Sequence, residues 1–308
     1  MKESNIAIII INWNTYHLSF SCLKSLQACT YKNKTVFFID NGSNDGSGDK
    51  IAHEFPEINY IKNDKNEGFT GANNKALKAI LKQNFEYVLL LNNDTEVTPN
   101  FLSLLESRMD SDKNLAATQP VILNFLNKKT IWNAGGSFNT FFGLSKTRSK
   151  GVVYKPKLKI RKFTDWISGC CILVKTQAIK EVGLLDNYFF AYFEDVDWSI
   201  RMKNQGYKLG VVPKSIIYHH SSGSTKKNNT SNEGNLSPYA HYLNVRNHIY
   251  LIKKHPLFFN SIGSWIYQIL KIASYSIYFI LRGRFEKFKM VWRGVSDGIK
   301  IKNIKHTV

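Results

Sequence analysis

Cysteine is scarce in this chain of 308 residues: only Cys22, Cys29, Cys170 and Cys171 occur, with no CxxC pair and no histidine at zinc-finger spacing. That excludes a disulfide scaffold and a small structural zinc site. It leaves reduced, buried thiols in a reducing compartment as the reading. No GxxxxGK[ST] loop is present, which removes the P-loop class of nucleotide-binding enzymes. A basic, apolar and small-residue leader is also missing; the chain runs almost at once into the apolar residues 6–11, so no signal peptide is expected. There is no internal repeat.

A membrane span needs roughly 20 mostly apolar residues. The only stretch of that order, residues 257–281, is broken by Asn260, Gln268 and Lys271. It fits a helix lying in a bilayer interface, flanked by Arg282, Arg284, Lys287, Lys289 and Arg293. The alternative is a helix packed on the main domain.

Acidic side chains are absent from residues 127–163, which carry 10 basic ones. Residues 226–308 carry 14 basic and 3 acidic side chains, whereas residues 1–126 carry 12 and 14 and residues 164–225 carry 6 and 6. The net charge of +19 therefore resides in one insertion and in the C-terminal part. Such concentration suggests an anionic partner, set against the plainer reading of solvated lysines. No nucleic-acid-binding motif accompanies the charge, so nucleic acid is not the expected partner, and a basic nucleic-acid-binding protein stands as an alternative reading.

With 43% hydrophobic and 13% aromatic residues, the chain has the makings of a large folded core. Strands are expected at 6–12, 35–40, 59–62, 87–91 and 172–175, with short strands at 209–212 and 216–218 around Pro213. Helices follow from the spacing of Leu18, Cys22, Leu23 and Leu26, of Ile51, Ala52 and Phe55, and of Ala72, Ala76, Leu77, Ile80 and Leu81. Another is expected at Thr98-Pro99, with the hydroxyl as cap, and another over 176–182. This alternation predicts an α/β fold with a mostly parallel central sheet and helices on both faces. Residues 127–163 read as a hairpin-rich edge insertion, and 221–238 as a loop. The domain boundary falls at 225, with a C-terminal helical, membrane-associating region over 226–308.

Polar residues interrupt these elements at five places. They are Asn12-Trp13-Asn14, then Asp40-Asn41-Gly42-Ser43-Asn44-Asp45, Asn66-Glu67-Gly68-Phe69 leading to Asn73-Asn74, Asn92-Asn93-Asp94, and Phe193-Glu194-Asp195-Val196-Asp197. In a parallel sheet the first, second and fourth lie at one carboxyl edge, where α/β ligands bind. Asp40 can accept an N–H from a base, Gly68 allows close backbone approach, and Asp94 can hold Mg²⁺ or Mn²⁺ against phosphate oxygens. Asp195 is placed to act as a general base toward an alcohol. Structural alternatives stand beside each: Asp40 and Asp45 can cap turns, and Glu194 and Asp197 can enrich a first helical turn. Adjacent strand residues face opposite ways, so only one of His219 and His220 can join a metal, and His219 is favoured.

Taken in order, IAIIIINWNT (6–15), FFIDNGSNDGS (37–47), NEGFTGANN (66–74), LLLNNDTEV (89–97) and the long stretch from Trp166 to Pro213 resemble the inverting family 2 glycosyltransferases of GT-A fold. The likeness is to the rhamnosyltransferase-like branch that builds bacterial surface polysaccharides. It continues through YHHSSGST (218–225) and VRNHIYLIKKH (245–255). The resemblance implies a dTDP- or UDP-linked sugar donor, with dTDP-rhamnose favoured. It also implies a saccharide or polyprenyl-diphosphate-linked acceptor, a divalent cation (Mn²⁺ or Mg²⁺), and work at the inner, cytoplasmic face of an anionic membrane. Asp195, in the Glu194-Asp195 pair, matches the catalytic base. Asp94 and His219 match metal positions. Asn14, Asp40, Asn41, Ser43, Asp45, Asn66, Gly68, Phe69, Asn74, Asn92 and Asn93 fall in the donor-binding segments. One departure stands out: the first position of the family's D-x-D motif is Asn92, which leaves Asp94 as the only carboxylate. A nucleotidyltransferase is the competing enzyme class, since it shares carboxylates at strand ends.

Overall fold

A computed structural model describes residues 3–220 and 236–301. The first strand, β1 (Ile6–Asn12), is buried at five of its first five positions, as an uninterrupted isoleucine-rich run requires. Its alternate residues feed two cores. Ile6, Ile8 and Ile10 pack with Cys22, Leu23 and Leu26 of α1 (Tyr16–Gln27). Ala7 and Ile9 pack with Ala72, Ala76, Leu77 and Ile80 of the helix that follows the third strand. Both faces of the sheet are therefore covered, and the period-two geometry of a strand is the cause.

The chain continues through β2 (Lys34–Asp40), α2 (Ser47–Glu54), β3 (Asn59–Lys62), α3 (Gly68–Ile80), β4 (Tyr87–Leu91), β5 (Thr95–Val97), α4 (Phe101–Asp110) and β6 (Leu115–Asn124). There follow β7 (Ile131–Asn133), β8 (Gly136–Asn139), β9 (Leu144–Thr147), β10 (Phe163–Thr164), β11 (Cys171–Lys175), α5 (Thr176–Val182), α6 (Glu194–Asn204) and β12 (Lys208–His219). The main sheet runs β10-β12-β6-β11-β4-β1-β2-β3. β3, β2, β1 and β4 are parallel neighbours, as are β12 and β6, while β11 lies antiparallel between β4 and β6. The mixed α/β fold with a mostly parallel sheet is thus as expected.

Three details differ from the sequence reading. Residues 209–212 and 216–218 are one strand, β12, with a register shift between Val212 and Ile216 that absorbs Pro213. No strand is expected across β6, where Gln119-Pro120 breaks the apolar pattern, yet its first nine residues are buried. Helix α4 begins at Phe101, not at Thr98-Pro99, because the Thr98 hydroxyl donates to Ile216 O (2.8 Å) instead of capping. The insertion does contain hairpins: β8 pairs with β9, and β7 pairs with β6. All four cysteines are free and buried.

The described chain divides into two units. The first comprises described residues within Met1–Ser137, Thr147–Phe190 and Glu194–Ser224, and the second those within Phe138–Lys146, Ala191–Phe193 and Thr225–Val308. The loop expected over 221–238 lies, but for its last three residues, outside the described residues. The second unit holds α7 (Pro238–Lys254), α8 (Ser261–Leu281) and α9 (Phe285–Lys300) around Val245, Ile249, Ile272, Phe279 and Val291. Ser237 and Asn260 cap α7 and α8 by accepting from Ala240 N–H and Gly263 N–H. No described helix is long and apolar enough to cross a membrane.

Helix α6 is held by a buried ion pair. Arg201 Nε lies 2.9 Å from Asp197 Oδ2, and the two side chains are 5% and 0% exposed. The same guanidinium donates to Val182 O (2.5 Å) and Leu184 O (2.8 Å), tying α6 to the turn that ends α5. Removing Arg201 takes the ion-pair partner from a fully buried carboxylate. Arg201→Met is therefore expected to cost about 3–5 kcal/mol, read as a lower denaturant midpoint. A midpoint equal to wild type would contradict this account of the pair.

Candidate active site

The carboxyl ends of β1, β2 and β4 coincide because the strands are parallel and in register, with Asn12 opposite Asp40. One hydrogen-bonded network runs along that edge. Asn93 Nδ2 donates to Thr15 Oγ1 (2.7 Å) and Ser19 Oγ (2.8 Å). Both hydroxyls donate onward to Asn12 Oδ1. Asn12 Nδ2 lies within reach of Asp40 Oδ1 (3.1 Å), Ser43 Oγ (3.1 Å) and Ser47 Oγ (2.8 Å). The Ser43 hydroxyl donates to Asp40 Oδ1 and accepts Asn14 N–H (3.0 Å). Asp40 is 1% exposed, and a Cβ on Gly48 would come within 2.2 Å of its carboxyl carbon, so Gly48 is what leaves room for it.

From Asn41 the network passes to the start of α3. Asn41 Nδ2 donates to Asn66 Oδ1 (3.0 Å) and Gly68 O (3.2 Å), and Asn66 Oδ1 also accepts Gly68 N–H (2.8 Å). Gly68 has φ +71°, and a Cβ there would meet the Phe190 ring at 2.5 Å. Two predicted donor residues are engaged in structural bonds. Asp45 Oδ1 accepts Ser47 N–H at the start of α2 (3.0 Å). Asn74 is 4% exposed and is spent on the turn after α5, donating to Leu185 O (2.7 Å) and Asn187 Oδ1 (2.6 Å).

Beyond β4, Asp94 is 9% exposed and its Oδ1 lies 3.1 Å from His219 Nε2. β12 brings the histidine there by pairing His219 with Thr95. Trp132 and the His219 ring meet in a T-shaped contact at 4.4 Å between centroids. Burial works against charge on His219, but Cys170 and Asp94 outweigh it and raise its pKa to about 10. His220 faces the other way, stacked on Phe125 at 3.6 Å. The alternation of a strand separates the two rings, as expected. Among the described residues no group of three or more His, Cys, Asp or Glu side chains could hold a metal. One carboxylate oxygen and one imidazole still form a donor pair suited to Mn²⁺.

The antiparallel strand β11 supplies the last part. Its first residue, Cys171, pairs with Leu91 at the end of β4, so the preceding turn Ser168-Gly169-Cys170 reaches the same edge. Cys170 O accepts Asn92 N–H (2.9 Å), and Gly169 N–H donates to Asp195 Oδ2 (2.9 Å). Val196 N–H donates to Asp195 Oδ1 (2.8 Å). A Cβ on Gly169 would meet the Phe69 ring at 3.4 Å and Asp195 Cβ at 3.5 Å, so Phe69 and Asp195 flank this turn. Burial raises the Asp195 pKa above the usual carboxylate value despite those two N–H donors. Burial and the neighbouring Asp195 push Glu194, 6% exposed, well above its own. Asp195 is the more accessible of the two.

Among the described residues, four of the five non-glycine residues with positive φ border these segments: Asn14 (53°), Phe190 (62°), Tyr192 (71°) and Phe193 (71°). Such angles cost about 1–3 kcal/mol each for bulky residues and persist only where neighbours fix them. Thr70 N–H donates to Phe190 O, and in the second unit Asn247 Nδ2 donates to Ala191 O (2.7 Å) and Tyr192 O (2.9 Å).

The sequence reading misses Thr15, Ser19, Ser47, Trp132 and the Gly169-Cys170 turn. The last left a signal, a glycine and a cysteine just before the strand that opens at Cys171. A separate hollow of about 610 Å³ lies along the β10–β12 edge, lined by Arg148, Arg161, Lys162, Lys203 and Lys208 among others. Its one carboxylate, Asp165, is bridged by Arg148 and Lys203, so it offers no base for an alcohol.

The model for "Glycosyl transferase family 2" matches residues 7–183, more than half of the chain. An N-acetylglucosaminyl-diphospho-decaprenol L-rhamnosyltransferase of Mycobacterium tuberculosis is 23% identical over 68% of this chain and 74% of its own length. A dTDP-rhamnosyl transferase, RfbF of Shigella flexneri, is 23% identical over 82% and 81%. Among solved structures, the mannosyltransferase PcManGT of Pyrobaculum calidifontis, in complex with GDP-Man and Mn²⁺, superposes with a TM-score of 0.61 at 11% identity, covering 98% of this chain and 89% of that one. The family model spans the strands that build the polar edge and the Gly169 turn, and by that match this chain belongs to glycosyl transferase family 2.

Proposed function

We propose that this glycosyltransferase moves a sugar, favouring rhamnose from dTDP-rhamnose, to a saccharide or polyprenyl-diphosphate-linked acceptor at the inner face of the cell membrane, with inversion at the anomeric carbon. The observation that carries this reading is the continuous polar edge from Asn93 through Asn12 and Asp40 to Asn66, with the Gly169 turn joining Asp195 to the end of β4. The names of the Shigella and Mycobacterium relatives support the donor and the acceptor class.

Asp40, Asn41 and Ser43 provide acceptors and donors for the nucleoside, and Asn14, Asn66, Gly68 and Phe69 border its path. Asn92 and Asn93 face the diphosphate. Asp94 and His219 would hold a divalent cation, which when bound neutralises charge growing on the leaving diphosphate. Asp195 takes the proton from the acceptor hydroxyl as that oxygen bonds to the anomeric carbon and the nucleoside diphosphate departs from the opposite face. Burial and the neighbouring Asp195 raise the proton affinity of Glu194, so of the two carboxyls Asp195 is the one assigned the base role.

Three outcomes follow. Asp195→Asn is expected to reduce transfer by at least about a hundredfold, the scale of a general base, with nucleotide affinity unchanged. Substantial turnover in that variant removes Asp195 from the role. Because its carboxyl titrates above the ordinary range, kcat/KM should fall on acidification at a pH above the usual aspartate value. A profile flat down to the ordinary range contradicts this. Mn²⁺ uptake requires His219 to give up its proton, so calorimetric affinity for Mn²⁺ should rise with pH and be lost in Asp94→Asn. A pH-independent affinity would exclude His219 as a ligand.

A further inference from the structure

Helix α8 buries polar groups and exposes apolar ones. Its one charge and its one amide face inward alongside Ile272 and Phe279, and its other large aliphatic residues face outward. Gln268 and Ser264 are 0% exposed, and neither amide atom of Gln268 nor the Ser264 hydroxyl has a partner. Lys271 Nζ lies 3.3 Å from His248 Nδ1, and His248 Nε2 lies 2.7 Å from Gly143 O. The imidazole is therefore neutral, donating through Nε2 and accepting from the ammonium. Burial lowers the Lys271 pKa to about 8, and burial with Lys271 lowers that of His248 to about 3.

The outward face carries Ile262, Ile266, Ile269, Leu270, Ile277, Tyr278, Ile280 and Leu281, each between 46% and 79% exposed. Ile262, Ile266, Ile269, Ile277 and Ile280 fall on one side at helical spacing. Helix α9 repeats the pattern: Phe285, Trp292 and Ile299 recur every seven residues and are 57%, 49% and 53% exposed. In water such surfaces are costly, and contiguous ones mark interaction sites. Exposed Arg282, Lys289, Arg293 and Lys300 adjoin them.

We propose that α8 and α9 form the face by which the protein rests on an anionic bilayer, their apolar rows entering the headgroup–acyl boundary and their cations meeting lipid phosphates. Residues 257–301 carry seven basic and two acidic side chains, so a second copy of this face would be repelled while an anionic surface is attracted. Helix α8 is long, at 21 residues, yet no described helix meets the requirements of a span, so it lies along the surface. The proposal extends the lipid-linked acceptor reading, but its test reads binding and needs no turnover.

The test is co-sedimentation of the full chain with phosphatidylglycerol–phosphatidylcholine vesicles and with pure phosphatidylcholine vesicles. The expected result is binding to the anionic vesicles, weakened about tenfold or more in Ile266→Ser/Ile269→Ser, and likewise in Arg282→Gln/Lys289→Gln/Arg293→Gln. These side chains are exposed, so the fold should tolerate the changes. As a second measurement on the unaltered helices, brominated lipid should quench bound wild-type protein more than Trp292→Phe. Absence of vesicle binding, equal binding by the variants, or equal quenching with and without Trp292 overturns the proposal. A dimer that dissociates in Ile266→Ser/Ile269→Ser without any vesicle binding also overturns it, and assigns the face to a second copy.

Discussion

The bond from Gly169 N–H to the Asp195 carboxylate is the contact on which the site depends. It joins two parts of the chain that the sheet alone would not bring together. β1, β2 and β4 end at one edge because they are parallel. β11 is antiparallel, so its beginning, not its end, reaches that edge. The turn before β11 then presents one backbone donor to Asp195 and, one residue later, one carbonyl to Asn92. A fully parallel sheet would leave this turn at the opposite edge, far from Asp94.

Much of this was legible in the chain. The isoleucine run of β1, the helical spacing of Leu18 to Leu26, and the polar residues that end three strands point to the fold and to the polar edge at the ends of β1, β2 and β4. β6 was not legible, because Gln119-Pro120 sits in its middle and burial there comes from neighbours on both sides. The start of α4 was misplaced because Thr98 and Pro99 form a sound local cap, and a tertiary bond to Ile216 overrides it. In the candidate site, residue types were readable but commitments were not. Asn74 looks like Asn41 in the sequence, yet its amide is consumed by Leu185 and Asn187. No local pattern announces a partner more than a hundred residues away.

Electrostatics divides the molecule in the same way. The acidic groups with raised proton affinity, Glu194 and Asp195, sit at the start of α6 in the first unit. The buried groups of the second unit, Lys271 and His248, shift the other way, because burial there disfavours positive charge. The first group belongs to the site proposed above for sugar transfer. The second group has no counterpart in that chemistry, and accompanies a helix whose apolar side faces out.

The most direct measurement is the crystal structure of the Asp195→Asn variant with an intact nucleotide sugar. The account predicts the base beside Asp40, the diphosphate between Asn92 and Asp94, and the anomeric carbon open toward residue 195. A nucleotide sugar bound in another hollow, such as the cationic one at the β10–β12 edge, would contradict it.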